Sequence, residues 1–141
     1  MINRTISRGL RTWFAQSPAQ RASVHLVRWA YHPDAGQPIP FRIGGPLDVA
    51  EAIEEHGIDG VDTYFESPLP NGSGRMSGGG GGGMGNIGYL ARLNADSSLR
   101  WVAVMFYSNP FIRVHYKGMS AVFTNDWGNR LMLDLMSPAL R

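Results

Sequence analysis

The sequence contains no cysteine, and this absence removes several kinds of chemistry at once. Disulfides, thiolate metal ligands and thiol nucleophiles are all excluded. Long apolar runs are also missing, since no stretch approaches the roughly 20 residues that a helix needs to cross a bilayer. Arginines interrupt the first apolar residues, which argues against a secretory signal. We therefore expect a cytoplasmic protein.

Charged residues are scarce and unevenly placed. Lysine occurs once, at Lys117, and arginine supplies the other twelve basic residues. This bias is typical of a GC-rich genome and favours a bacterial or phage source. No acidic residue precedes Asp34, whereas residues 34–74 are strongly acidic. The net charge is only +2, so this uneven distribution indicates either internal neutralisation or two surfaces of opposite sign.

Residues 1–18 read as a basic amphipathic arm. Apolar side chains spaced by three and four residues, from Ile2 to Phe14, share one helical face, and arginines occupy the other. Such an arm serves as a packing helix, a docking element or an organellar address, and the last reading makes the mitochondrial matrix the alternative location. The residues expected to dock are Arg4, Arg8, Arg11 and Trp13.

A second helix is predicted over 46–56. Pro46 suits the first helical position, and Gly57 suits the position after the end. Its carboxylates lie one turn apart, as on a solvated face or on an acidic surface that binds a basic partner. The residues expected to form that surface are Asp48, Glu51 and Glu55.

Glycine dominates residues 71–88, with an unbroken run at Gly78–Gly83. Glycine loses more conformational entropy on ordering than any other residue, so this segment is predicted to be a flexible loop. A phosphate-binding loop needs a strand before it and a helix after it. The residues that follow the run resemble a strand, which disfavours a nucleotide site.

Residues 88–136 read as a β-meander. Short breaks with turn residues separate five strand-like segments, and short turns make neighbouring strands antiparallel. Three further strands are predicted before the glycine run. The predicted segments are Val24–Tyr31, Pro40–Ile43, Thr63–Glu66, Gly88–Leu93, Leu99–Tyr107, Phe111–Tyr116, Ser120–Thr124 and Arg130–Leu135.

These elements predict a single domain over 1–141 of the α+β class. We expect an antiparallel meander sheet of about five to seven strands. One or two helices would cover one face of that sheet, giving a two-layer sandwich. The hydrophobic content of 43% supports a globular chain with a real core.

No motif for catalysis is present. The four histidines have no spacing typical of metal ligands, and no nucleophile elbow occurs. We therefore expect no catalytic residue, cofactor or metal. Arg100, Trp101 and Phe111 belong to a basic and aromatic stretch that resembles a surface for stacking single-stranded bases, although such aromatics also suit a core.

The leading functional hypothesis is a non-enzymatic protein-binding domain, such as an inhibitor or immunity protein that neutralises a basic toxin by charge and shape complementarity. Besides the acidic helix, its contact residues would be Trp127 and Asp126, because a tryptophan exposed in a turn is a typical interface anchor. Two alternatives stand beside it: a structural or assembly subunit of a virion, ribosome-associated or organellar complex that docks through its arm, and a nucleic-acid-binding sheet. Oligomerisation is compatible with each.

Overall fold

The computed structural model describes residues 23–27, 35–39, 61–81, 87–106 and 108–140. Most of these residues lie in strands, and a 3₁₀ turn at Pro138–Leu140 is the one helical element within these ranges. The strands are β1 (Ser23–Val27), β2 (Val61–Pro68), β3 (Gly74–Gly81), β4 (Ile87–Asn94), β5 (Leu99–Phe106), β6 (Phe111–Lys117), β7 (Ser120–Asn125) and β8 (Arg130–Asp134).

The first sheet has five strands in the order β1-β5-β4-β3-β2. Strands β2 to β5 form an antiparallel meander, and β1 pairs in parallel with β5. The central strand β4 is buried on both faces over Ile87–Leu93. Its near-continuous apolar sequence is typical of a strand with neighbours above and below it.

The second sheet has three antiparallel strands in the order β6-β7-β8. β8 alternates between exposed and buried side chains, as expected when one face packs on a core and the other meets water. Residues 35–39 run beside β8, where the backbone N–H of Ile39 donates to the carbonyl of Arg130 (2.7 Å).

The core lies between the two sheets. The rings of Phe65 and Phe123 are stacked across the interface, with 6.3 Å between their centroids. The hydroxyl of Tyr116 donates to the carbonyl of Ser67 (3.3 Å), which ties β6 to β2. The inner face of the first sheet therefore packs against the apolar face of the second. The largest fully buried side chains in this core are Met76, Leu90, Trp101, Met105, Phe111, Phe123, Leu131 and Leu135.

The predicted α+β sandwich is wrong, because sheet on sheet replaces helix on sheet in the described part of the chain. The meander divides after β5, since residues 108–110 carry the chain from the first sheet to the second. A second sheet thus supplies the cover that the sequence assigned to helices. The helices predicted within residues 1–18 and at 46–56 lie outside the described residues. Among the described residues, no helix is long and apolar enough to span a membrane.

The glycine run is also corrected. Instead of a flexible loop over 71–88, Gly74–Gly81 forms β3, paired on both sides with β2 and β4. The reason is close packing. A Cβ at Gly78 would overlap the ring of Phe65, and one at Gly80 would lie 2.9 Å from Pro110 Cγ. Side chains at these two glycine positions would push the sheets apart.

The strands predicted from alternation are largely confirmed. β4 to β8 match their predicted segments within a few residues. β1 overlaps the predicted Val24–Tyr31, and β2 extends the predicted Thr63–Glu66 at both ends. The short strand predicted at Pro40–Ile43 lies outside the described residues.

Arg92 is a charged residue in the core. It is only 4% exposed, and its guanidinium donates from Nη1 to the carbonyl of Leu135 (2.8 Å) and from Nη2 to the hydroxyl of Ser73 (3.2 Å). Burial, with a smaller contribution from the charge of Arg100, lowers the pKa of Arg92. The side chain therefore joins β4 to the segment after β8 and to the β2–β3 turn.

Replacing Arg92 with methionine should lower the free energy of unfolding by about 1 kcal/mol, measured in urea. The apolar isostere removes a desolvated charge but leaves the Leu135 carbonyl without its donor. Arg100, exposed on β5, is the matched control, and Arg100→Met should stay within about 0.5 kcal/mol of the parent chain. Equal stability of both variants would contradict a structural role for the two Arg92 hydrogen bonds.

Candidate binding surface

The turn between β7 and β8 is held by a buried asparagine. Asn125 Oδ1 accepts hydrogen bonds from the backbone N–H groups of Trp127 (3.0 Å) and Asn129 (2.7 Å). Its Nδ2 donates to the carbonyl of Ser108 (2.6 Å) and to Asn129 Oδ1 (3.2 Å). Because Asn125 and Asn129 are almost completely buried, the turn has a fixed conformation.

Neighbouring segments support this turn from both sides. The backbone N–H of Asp126 donates to the carbonyl of Pro110 (3.0 Å). Asn129 Nδ2 donates to the carbonyl of Gln37 (3.3 Å), which attaches residues 35–39 to the other side. On this support Trp127 is 50% exposed and Asp126 is exposed. The turn thus presents a large aromatic side chain on a rigid backbone.

The outer face of the second sheet lies next to this turn and is called here the β6–β8 face. Strand register sets its rows of side chains, because residues opposite each other in a pair share a face. The three rows are Arg113–Thr124–Arg130, His115–Val122–Met132 and Lys117–Ser120–Asp134. The Arg113 row is nearest the Trp127 turn.

Exposed apolar side chains concentrate on this side of the molecule. Met132 is 72% exposed on β8, in the middle row of the face, and Met136 is also exposed just after β8. Ile112 is exposed at a bulge in β6. With Trp127, these are four of the five large exposed apolar side chains in the described part of the chain, and Tyr64 on β2 is the fifth. The second sheet and the segments beside it therefore carry most of the large exposed apolar side chains of the described residues.

Trp127 and Asp126, which the sequence offered as contact residues, are exposed in the β7–β8 turn, and their role in contact stays a prediction. The predicted acidic surface and arm residues lie outside the described residues, so their grouping stays a prediction. These are Asp48, Glu51, Glu55, Arg4, Arg8, Arg11 and Trp13.

Sequence reasoning missed Met132 and its charged neighbours. A signal was available, because β8 reads Arg-Leu-Met-Leu-Asp. Alternation places Met132 on the same face as Arg130 and Asp134, which is the solvent face. A methionine between two charged residues on that face is a feature to notice.

Three aromatic residues of the basic and aromatic stretch lie on the core side of their strands. Trp101 and Phe111 are fully buried in the core, and Tyr116 is half-buried on the inner side of β6. Burial raises the pKa of the Tyr116 hydroxyl. The β6–β8 face carries Arg113 and Lys117 on β6 with the imidazole of His115 between them. It therefore offers one small ring instead of the series of aromatic rings on which many single-strand-binding proteins stack bases.

Groups suited to catalysis do not converge in the described ranges. No three histidine, aspartate or glutamate side chains there are grouped as metal ligands. An open groove of about 430 Å³ at one end of the first sheet contains Glu66 and Arg75 in its wall but no histidine or lysine. Asp96, near that end, has a pKa lowered by hydrogen bonds from Ser98.

Comparison with known proteins adds no assignment. No protein-family model matches the chain, and no curated protein or solved structure matches it. Function therefore has to be argued from the β6–β8 face and the Trp127 turn.

Proposed function

We propose that this chain is a protein-binding domain whose contact surface is the β6–β8 face together with the Trp127 turn. The supporting observation is that four of the five large exposed apolar side chains in the described part lie on the second sheet or in the segments beside it, among charged residues. An apolar centre with a charged border is the usual anatomy of a protein interface. The inhibitor hypothesis depends on the acidic helix, which lies outside the described residues. The proposal therefore does not include an inhibitor role.

Energetics favour binding by this surface. Burying apolar area stabilises a complex by roughly 25 cal/mol per Å². Met132 exposes most of its surface and Trp127 exposes half of its surface. The hydrogen bonds of Asn125 fix the backbone beneath Trp127 before any partner arrives. Such preorganisation lowers the entropy cost of association, and tryptophan is among the commonest interface hot spots.

A photo-crosslinking amino acid at Met132 should capture a partner from cells that express the chain. The same group at Tyr64, on the other sheet, is the matched control because Tyr64 is also exposed. The captured protein, once identified and purified, should bind Met132→Glu or Trp127→Ala at least about tenfold more weakly than the parent chain, by calorimetry. Tyr64→Glu should bind normally.

Met132 and Trp127 are exposed, so neither change should reduce thermal stability appreciably. The proposal fails if no protein is captured at Met132 above the Tyr64 control. It also fails if the purified protein binds Met132→Glu and the parent chain with equal affinity.

A further inference from the structure

The β6–β8 face carries an excess of positive charge. Arg113 and Lys117 on β6 and Arg130 on β8 are all exposed, and Asp134 is the single carboxylate in its three rows. No carboxylate of the described part pairs with these three cations. The charge of the face is therefore available to a partner.

Register sets the spacing between charge and apolar centre. Arg113 and Arg130 lie on either side of Thr124, and the next row contains Val122 and Met132. Consecutive rows on one face are two residues apart along a strand, or about 7 Å. A partner that places a large apolar side chain on Met132 would have Arg130 about 7 Å away along β8, with Arg113 two strands across in the same row as Arg130.

Carboxylates lie at both ends of this cationic area. At the far end Asp134 Oδ1 accepts the backbone N–H of Met136 (2.9 Å), which fixes this carboxylate in the row of Lys117. At the near end Asp126 is exposed in the Trp127 turn. A long polyanion crossing the whole face would meet both negative charges, whereas a short acidic segment fits between them.

We infer that the β6–β8 face binds an acidic protein segment, one that carries Asp or Glu beside a large apolar residue. The inference rests on the proposed protein-binding function and specifies the chemistry of the partner. Arg113 and Arg130 contact the carboxylates, and Val122 and Met132 receive the apolar side chain. Charge complementarity selects the partner and accelerates its association.

Selection of random displayed peptides on the purified chain tests this inference. Selected peptides should be enriched in Asp or Glu near a large apolar residue. The best of them, made synthetically, should lose at least about tenfold in affinity between about 50 and about 500 mM NaCl, because salt screens exposed charges. The double variant Arg113→Glu/Arg130→Glu should bind the same peptide at least about tenfold more weakly than the parent chain. Arg100→Glu, which changes an exposed arginine on the other sheet, is the matched control and should bind normally.

The other outcomes separate this inference from the proposed function. If Met132→Glu abolishes the binding of the selected peptides, but these peptides show no acidic enrichment and no salt dependence, the inference is overturned. The proposed function then still stands. Peptides that bind Met132→Glu normally overturn both. Binding of an oligothymidylate that is lost in Arg113→Glu/Arg130→Glu, without any selected peptide, overturns both in favour of nucleic acid.

Discussion

Gly79→Ala should lower the free energy of unfolding by about 3 kcal/mol, at the upper end of overpacking effects. A Cβ at Gly79 would overlap the carbonyl oxygen of Asp62 and lie 3.0 Å from the backbone nitrogen of Tyr64. Both obstacles are main-chain atoms of β2, so no side-chain rotation relieves them. The substitution forces β2 away from β3 and disturbs the core beneath Phe65.

The sign of this effect distinguishes a strand from a loop. In a flexible loop, alanine in place of glycine is neutral or stabilises by a few tenths to about 1 kcal/mol, because the unfolded chain loses freedom. Gly72→Ala is the matched control, since Gly72 has open space around it and a φ of +73°. Its left-handed conformation alone costs about 1 kcal/mol. Urea unfolding measures both, and a Gly79→Ala loss no larger than that of Gly72→Ala would refute the close-packed glycine strand.

Asn125→Ala should also cost about 3 kcal/mol, because it removes a side chain that makes four hydrogen bonds at a buried position. The carbonyl of Ser108 and the backbone N–H of Asn129 lose their partner where water has little access. Each buried polar group left unsatisfied costs about 1–3 kcal/mol. Thermal or urea unfolding gives the value directly.

Asn71 provides a matched control for Asn125. It plays a similar turn role, with Oδ1 accepting from the backbone N–H (3.0 Å) and hydroxyl (2.6 Å) of Ser73, but it is exposed. Because water replaces these bonds, Asn71→Ala should cost about 0.5 kcal/mol. The Asn125 variant should also free the Trp127 backbone, seen as faster amide exchange at Trp127. Similar losses in the two variants would show that the β7–β8 turn does not depend on Asn125.

Strand positions could be predicted from the sequence where alternation and turn residues act together. β6, β7 and β8 have apolar side chains at every second position and short polar turns between them, so local physics determines them. The division into two sheets could not be predicted, because residues 108–110 look like any other short turn. Whether a turn continues a sheet or crosses to a second one depends on contacts between residues far apart in sequence.

The glycine strand shows a different limit of prediction. Intrinsic propensity opposes strand formation by Gly78–Gly81. The packing contacts that favour the strand form only when Phe65 and Pro110 lie against the bare backbone. The turn that carries Trp127 could be predicted because the turn residues are adjacent in the sequence. The β6–β8 face could not be predicted without the strand register, which places Arg113 of β6 at the same end of the sheet as Arg130 of β8.

The parallel pairing of β1 with β5 has a consequence for the order of folding. Every other strand pair in the described residues joins neighbours along the chain, and such hairpins close small loops quickly. β1 instead aligns Val24 with Val102, so a long intervening chain must close before this edge can form. Loop-closure entropy delays contacts of this kind. The two meanders should therefore assemble first, with β1 joining the completed edge of β5 as the last strand.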